Sequence, residues 1–276
     1  MIKKRMCILL VFIFCFLMAE PVMAAGHRGI DVSQWQGSIS YRQVKNAGIK
    51  IVYIKAGEGD RFVDPYFERN YTQARRAGLN VGLYHYVTAR TVSDARRQAH
   101  FFASLVNEKR VQCRPAMDFE QVGGLTKKEV NRIAKVYMRQ LHRLTGYRPV
   151  VYSNAYDTHT LWDASLSRYP LWIADYGRKS PYTTGAWRSW QGFQYSDKGR
   201  SPGIRGLVDL DRFKQGIFLK KHEKEKKRPL VYHIKWGDTL YGIALKYHIS
   251  PDRLAKLNHL VYPYLLFPGQ RLIIPR

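Results

Sequence analysis

Short apolar runs alternate with amphipathic stretches over most of the chain. Residues 28–33 (RGIDVS) form a short strand ending at Asp31, with Trp35 and Gln36 in the loop that follows. Residues 49–56 (IKIVYIKA) are almost continuously apolar, as expected of a parallel strand buried on both faces. Further strands are read at 81–86 (VGLYHY), 115–120 (PAMDFE), 149–153 (PVVYS), 171–175 (LWIAD), 192–195 and 207–213. Between them the period changes to that of helices. Residues 41–47 and 64–77 are stopped by Gly48 and Gly78, and 91–106 places Ala95, Ala99, Phe102 and Val106 on one side. Thr126, with Glu129 three residues on, makes a capping box for a long helix ending near Gly146. Its stripe of Val130, Ile133, Ala134, Tyr137, Leu141 and Leu144 faces a core.

Strands alternating with helices predict a parallel sheet, and eight strands predict a barrel. After Asp175 the connections are rich in Gly, Pro, Ser and Thr and lose the helical period. The fold class is therefore α/β: an irregular (β/α) barrel of five β/α units followed by strands with few helices, some of them antiparallel. Residues 220–227 (KKHEKEKK) read as a charged linker. Residues 232–275 then form a small βααβ unit, with strands YHIK and RLIIP around two short helices. The domains expected are 25–219 (barrel), 220–230 (linker) and 231–276 (small module).

The first 24 residues change the compartment. Lys3, Lys4 and Arg5 precede a thirteen-residue apolar run, 7–19, and VMA before residue 25 offers a cleavage site. This is the layout of a secretory signal, too short for a membrane span. Removal would leave Cys113 as the one cysteine, so no internal disulfide is expected, and Cys113 reads as a packing residue. The net charge of +25 suits polyanionic surroundings, and a secreted route makes a cell wall the first of these.

Against that basic background the acids cluster at predicted strand ends. Asp31, Asp118, Glu120, Asp175, Asp209 and Asp211 end strands or follow them, where a barrel keeps its chemistry. An isolated D-x-E is ordinarily a solvated strand end. In a strand, however, Asp118 and Glu120 would share a face about 6–7 Å apart, close enough for one carboxyl to raise the other's pKa. A proton donor beside a carboxylate is what glycosidic-bond cleavage requires. Tyr84, Tyr86, Asp175 and Gln194 are candidates to line a saccharide groove. His85 reads as a packing residue. No metal-ligand spacing and no nucleotide motif is present, so neither metal nor cofactor is expected.

The segments RGIDVSQWQG, IVYIKAGEGDRFVDPYFERNYTQARRAGLNVGLYHY, AMDFE, WIADY, FQYS and GLVDLDRF resemble, in order, the family-25 glycoside hydrolases. The tail, YHIKWGDTLYGIALKYHIS with LFPGQRLIIP, resembles a single LysM module. The resemblance implies hydrolysis of the β-1,4 bond from N-acetylmuramic acid to N-acetylglucosamine in peptidoglycan. It implies Glu120 as proton donor, Asp118 as orienter of the substrate acetamide, and Asp31 and Asp209 as supporting pocket acids. It also implies glycan strands as partners of barrel and tail alike. Gly57 stands where the family has Ser or Thr, and Phe193 where it has Trp, two departures expected to touch subsites. The protein is expected to be a monomer, secreted or periplasmic, without stable membrane insertion. Two alternatives share these motifs: a non-catalytic wall- or chitin-binding protein, and a chitin-directed hydrolase. A nucleic-acid or membrane-active protein fits less well, because no single element carries a basic aromatic stripe.

Overall fold

The structure is a computed structural model that describes residues 26–220, 230–247 and 249–274. The stretch read as a signal, residues 1–24, and nearly all of the stretch read as a charged linker lie outside the described residues. The first part contains strands β1 (His27–Val32), β2 (Ile51–Glu58), β3 (Phe62–Val63), β4 (Asn80–Tyr86), β5 (Ala116–Asp118), β6 (Val150–Asn154), β7 (Leu171–Ala174), β8 (Gly192–Gly199) and β9 (Val208–Phe213). Helices α1 (Tyr41–Asn46), α2 (Phe67–Arg76), α3 (Val92–Asn107), α4 (Lys127–Thr145) and α5 (Ala155–Thr160) fall between strands up to β7.

The sheet closes because β1 pairs with both β2 and β9. Eight strands form the ring, and β3 is a two-residue flap on β2. Neighbours are parallel from β1 round to β8, whereas β9 runs antiparallel to β8 and β1. No helix occupies 175–191 or 200–207: the first loop makes the crossover from β7 to parallel β8 without a helix, and the second turns the chain back into antiparallel β9. This is the irregular barrel that the loss of helical period predicted.

Strand alternation divides the core in two. Ile51, Tyr53, Ala116, Val150, Tyr152, Trp172, Ala174 and Phe213 fill the barrel interior. Val52, Ile54, Met117, Val151, Ile173 and Phe193 point outward into the helical layer. Gly192 is required by that filling, since a Cβ there would come within 2.6 Å of the Trp172 ring. Capping boxes at Thr91/Asp94 and Thr126/Glu129 start α3 and α4, and Gly146 ends α4 in the left-handed region at φ 69°. These two helices lie side by side and cover the wall behind β4 and β5. Buried His85 points into that layer, its Nδ1 2.9 Å from the Tyr137 hydroxyl. Burial lowers its pKa to about 3, so the ring is neutral packing, as its sequence context suggested.

The tail unit consists of β10 (Leu230–His233), α6 (Leu240–Lys246), α7 (Pro251–Leu257) and β11 (Arg271–Ile274). The strands pair antiparallel around a core of its own: Ile234, Leu240, Ile243, Ala244, Leu254, Ala255, Leu272 and Ile274. Thr239 and Ser250 cap the two helices, Pro251 sitting at the first turn. The Asn258 amide donates to Leu254 O and Ile273 O (2.9 and 2.8 Å), fixing α7 to β11.

Two expectations need correcting. The strand read at 115–120 stops at Asp118, so Phe119 and Glu120 already belong to the loop beyond it. Phe193 faces the helical layer and is fully buried, so its replacement of a family Trp does not alter the inner face.

Candidate active site

Register brings the acids together. Asp31 at the end of β1 is the ladder partner of Asp209 at the start of β9. Asp118 ends β5, level with Tyr86 on β4 and Tyr152 on β6. Tyr152 is level with Trp172, and Gln194 with Asp211. Inward parity then points Asp31, Tyr84, Asp118, Tyr152, Trp172, Gln194 and Asp209 into one cavity of roughly 240 Å³, which Glu120 and Tyr176 complete from the loops.

A hydrogen-bonded chain fixes one wall. The Tyr152 and Tyr176 hydroxyls both donate to Gln194 Oε1 at 2.9 Å, which leaves Gln194 Nε2 to donate to Asp31 Oδ2 at 2.8 Å. Asp211 lies behind Asp31, fully buried, and accepts from the Trp172 indole at 2.9 Å. Burial, then the charge of Asp209, raises the Asp31 pKa well above the carboxylate range, while bonds from Gln194 and Asp211 oppose the rise. Asp211 is raised by burial and then by Asp31. Asp209 rises to about 6, through burial and the nearby Asp197.

The opposite wall holds the D-x-E pair. Asp118 is buried and Glu120 exposed. Burial first, then the Glu120 charge and a hydrogen bond between the two carboxyls, raises Asp118 well above its ordinary value. Lys55, bridged to Glu58 at 3.0 Å, acts in the opposite sense on Asp118. Asp118 Oδ1 is buried and has no hydrogen-bond partner. The cavity therefore offers two deep carboxyls, Asp31 and Asp118, whose surroundings favour the protonated form, one exposed carboxyl at its mouth, Glu120, and three tyrosines with a tryptophan to meet a sugar.

Of the residues expected from the sequence, Asp31, Asp118, Glu120, Asp209, Tyr84 and Gln194 line the cavity. Tyr86 stands outside that lining, under the Lys55 ammonium at 5.0 Å. Asp175 also stands apart; it accepts from Tyr182 N at 3.0 Å and pairs with Arg178 at 3.3 Å, holding the loop after β7. Sequence reasoning counted Asp211 among the strand-end acids without placing it behind Asp31, and gave no lining role to Tyr152, Trp172 or Tyr176. Tyr152 and Trp172 share Asp118's inward parity, but only cross-strand register reveals that they are level. Among the described residues, no group of His, Cys, Asp and Glu is arranged to hold a metal ion, and no helix is long and apolar enough to cross a membrane.

A closed barrel whose parallel strands end in paired carboxyls beside aromatic rings has the layout expected of a glycoside hydrolase, and comparison with known proteins agrees. Residues 30–204 match the model for glycosyl hydrolases family 25, and residues 232–275 match the LysM domain. The chain is 38% identical over 191 residues to the uncharacterized protein YegX of Escherichia coli (strain K12), covering 67% of this chain and 68% of that one. It is 32% identical over 209 residues to lysozyme M1 of Streptomyces globisporus, covering 70% and 69%. Its fold superimposes on the bacterial lysozyme from Streptomyces coelicolor with a TM-score of 0.61 at 30% identity, over 69% of this chain and 93% of that one. The chain belongs to glycosyl hydrolases family 25, the lysozyme and muramidase family, and carries a C-terminal LysM domain.

Proposed function

We propose that the protein is a secreted N-acetylmuramidase that cuts peptidoglycan at the β-1,4 bond following N-acetylmuramic acid, with Glu120 as general acid and Asp118 orienting the substrate's acetamide. The observation that carries the division of roles is the buried, partnerless Asp118 Oδ1 beside exposed Glu120. An acetamide N–H entering the cavity meets an acceptor there. Accepting that bond favours ionised Asp118, and the proton shared by the pair passes to Glu120 at the mouth. The acetamide carbonyl oxygen then attacks the anomeric carbon as the bond to the leaving oxygen breaks, and Glu120 protonates that oxygen. Water, deprotonated by Glu120, opens the cyclic intermediate and restores the pair. This substrate-assisted route is a recognised variant of two-carboxylate hydrolysis. Asp31 and Asp209, held by Gln194 and the β1–β9 ladder, set the charge of the floor.

The domain division 25–219, 220–230 and 231–276 and the signal at 1–24 belong to this reading. So does glycan binding by the LysM unit, supported by the exposed rings of Trp236, Tyr262 and Phe267. The test is turnover of purified peptidoglycan with mass spectrometry of the products. Wild type should release fragments with muramic acid at the new reducing end, and Glu120→Gln should lose activity by at least about a hundredfold, the scale of a general acid. Equal clearing by wild type and variant would refute the assignment, and preferential release from chitin would move the substrate to that polymer.

A further inference from the structure

The end of the barrel remote from the acids carries the opposite charge. The segments leading into β6, β7 and β8 lie at the amino-terminal end of the parallel strands, and so does the exit of β9, which runs the other way. Two adjoining depressions sit there, sharing Arg148, Arg168 and Tyr169. Among the described residues, Arg139, Arg143, Arg148, Arg168, Arg188 and Lys220 line them, and no Asp or Glu does. All six are exposed. Their proximity has an independent sign: Tyr169, raised first by burial, is acted on in the opposite sense by Arg168, Arg139 and Arg148 together. The six come from four stretches of chain, 139–148, 168, 188 and 220, so no single basic run carries this surface in the sequence.

We propose that this basic end binds a linear phosphodiester polymer without bases, the kind of anionic polymer that shares a cell wall with peptidoglycan. Five of the six cations are guanidinium groups, whose forked donors match phosphate oxygens. A single-stranded nucleic acid needs exposed rings for stacking, yet Tyr169 and Trp187 are each only 5% exposed. A bilayer needs an apolar anchor, and none of the exposed large apolar side chains of the described barrel lines either depression. Anchoring by this end would leave the acidic cavity open at the other, and the cavity's own charge would repel the polyanion. The choice of a wall polymer rests on the muramidase reading; the surface does not.

The test is binding of labelled poly(glycerol phosphate) to the full chain as salt is varied. Two triple variants remove equal charge from exposed sites: R139Q/R168Q/R188Q at the basic end, and R61Q/R69Q/R96Q elsewhere on the barrel. The first should weaken binding about tenfold or more at 0.1 M salt and reduce the slope of log K against log salt by about two. The second should change binding by less than about threefold, and both should cleave small soluble fragments at the wild-type rate. Equal losses in both variants would mean a diffuse field and overturn the site. Equally tight binding of a DNA duplex of the same length would overturn the choice of partner. A wild type that binds the polymer but never cuts peptidoglycan would count against the muramidase reading instead, because binding is measured without turnover.

Discussion

Asp211 shows what a single residue costs this fold. It sits fully buried between the Trp172 indole and Asp31. Burial and the Asp31 charge raise its pKa, so the native state holds a proton that the unfolded chain releases at the ordinary carboxylate pKa. Stability from the neutral group is therefore complete below that ordinary value and is lost as pH rises toward the folded one. Asparagine keeps an oxygen for Trp172 and cannot ionise. Asp211→Asn should melt with wild type near pH 4 and above it near pH 8, as followed by circular dichroism. An equal offset at both pH values would show that ionisation of Asp211 is not the cause.

Among elements, β2 and its flap explain one departure from the family pattern. A Cβ at Gly57 would collide with the carbonyl oxygen of Phe62 on β3 and approach Phe101 at 3.1 Å, while the β2–β4 ladder shifts register between Lys55 and Gly57. The usual Ser or Thr is thus excluded by this β2–β3 turn, a backbone obstacle that cannot rotate away. Restoring it, Gly57→Ser, should destabilise the protein by about 1–3 kcal/mol in urea unfolding, the cost of overpacking a closed site. A neutral result would mean that the flap moves freely. Helices α3 and α4 were legible residue by residue, because a capping box and a 3.6-residue stripe are local signals. The eight strands were legible as runs, and the missing helices after Asp175 announced the irregular end of the barrel. Register was not legible, since it depends on which strands become neighbours. That is why Asp118 and Glu120 were placed on one strand, and why Tyr152 and Trp172 escaped notice as cavity walls. The same limit hid the basic end, which the fold assembles from residues 139–148, 168, 188 and 220.

Across the whole molecule, two cores and two kinds of surface divide the work. The barrel core does not include the tail residues, whose apolar side chains form a cluster of their own. On the proposed function, a module with its own core and exposed rings holds a glycan strand without taking part in bond cleavage, and its contribution is local concentration. Deleting residues 221–276 should leave kcat on short soluble fragments unchanged, since every described side chain lining the cavity belongs to the barrel. On insoluble wall the same deletion should lower binding by roughly ten- to a hundredfold, measured by co-sedimentation at fixed salt. The basic end remains in the truncated chain, so any residual wall binding should fall steeply as salt is raised, whereas tail-mediated binding to neutral sugars should not. Parallel loss of kcat on soluble fragments would mean that the tail supports the barrel itself, and the division into a cutting unit and a holding unit would fail.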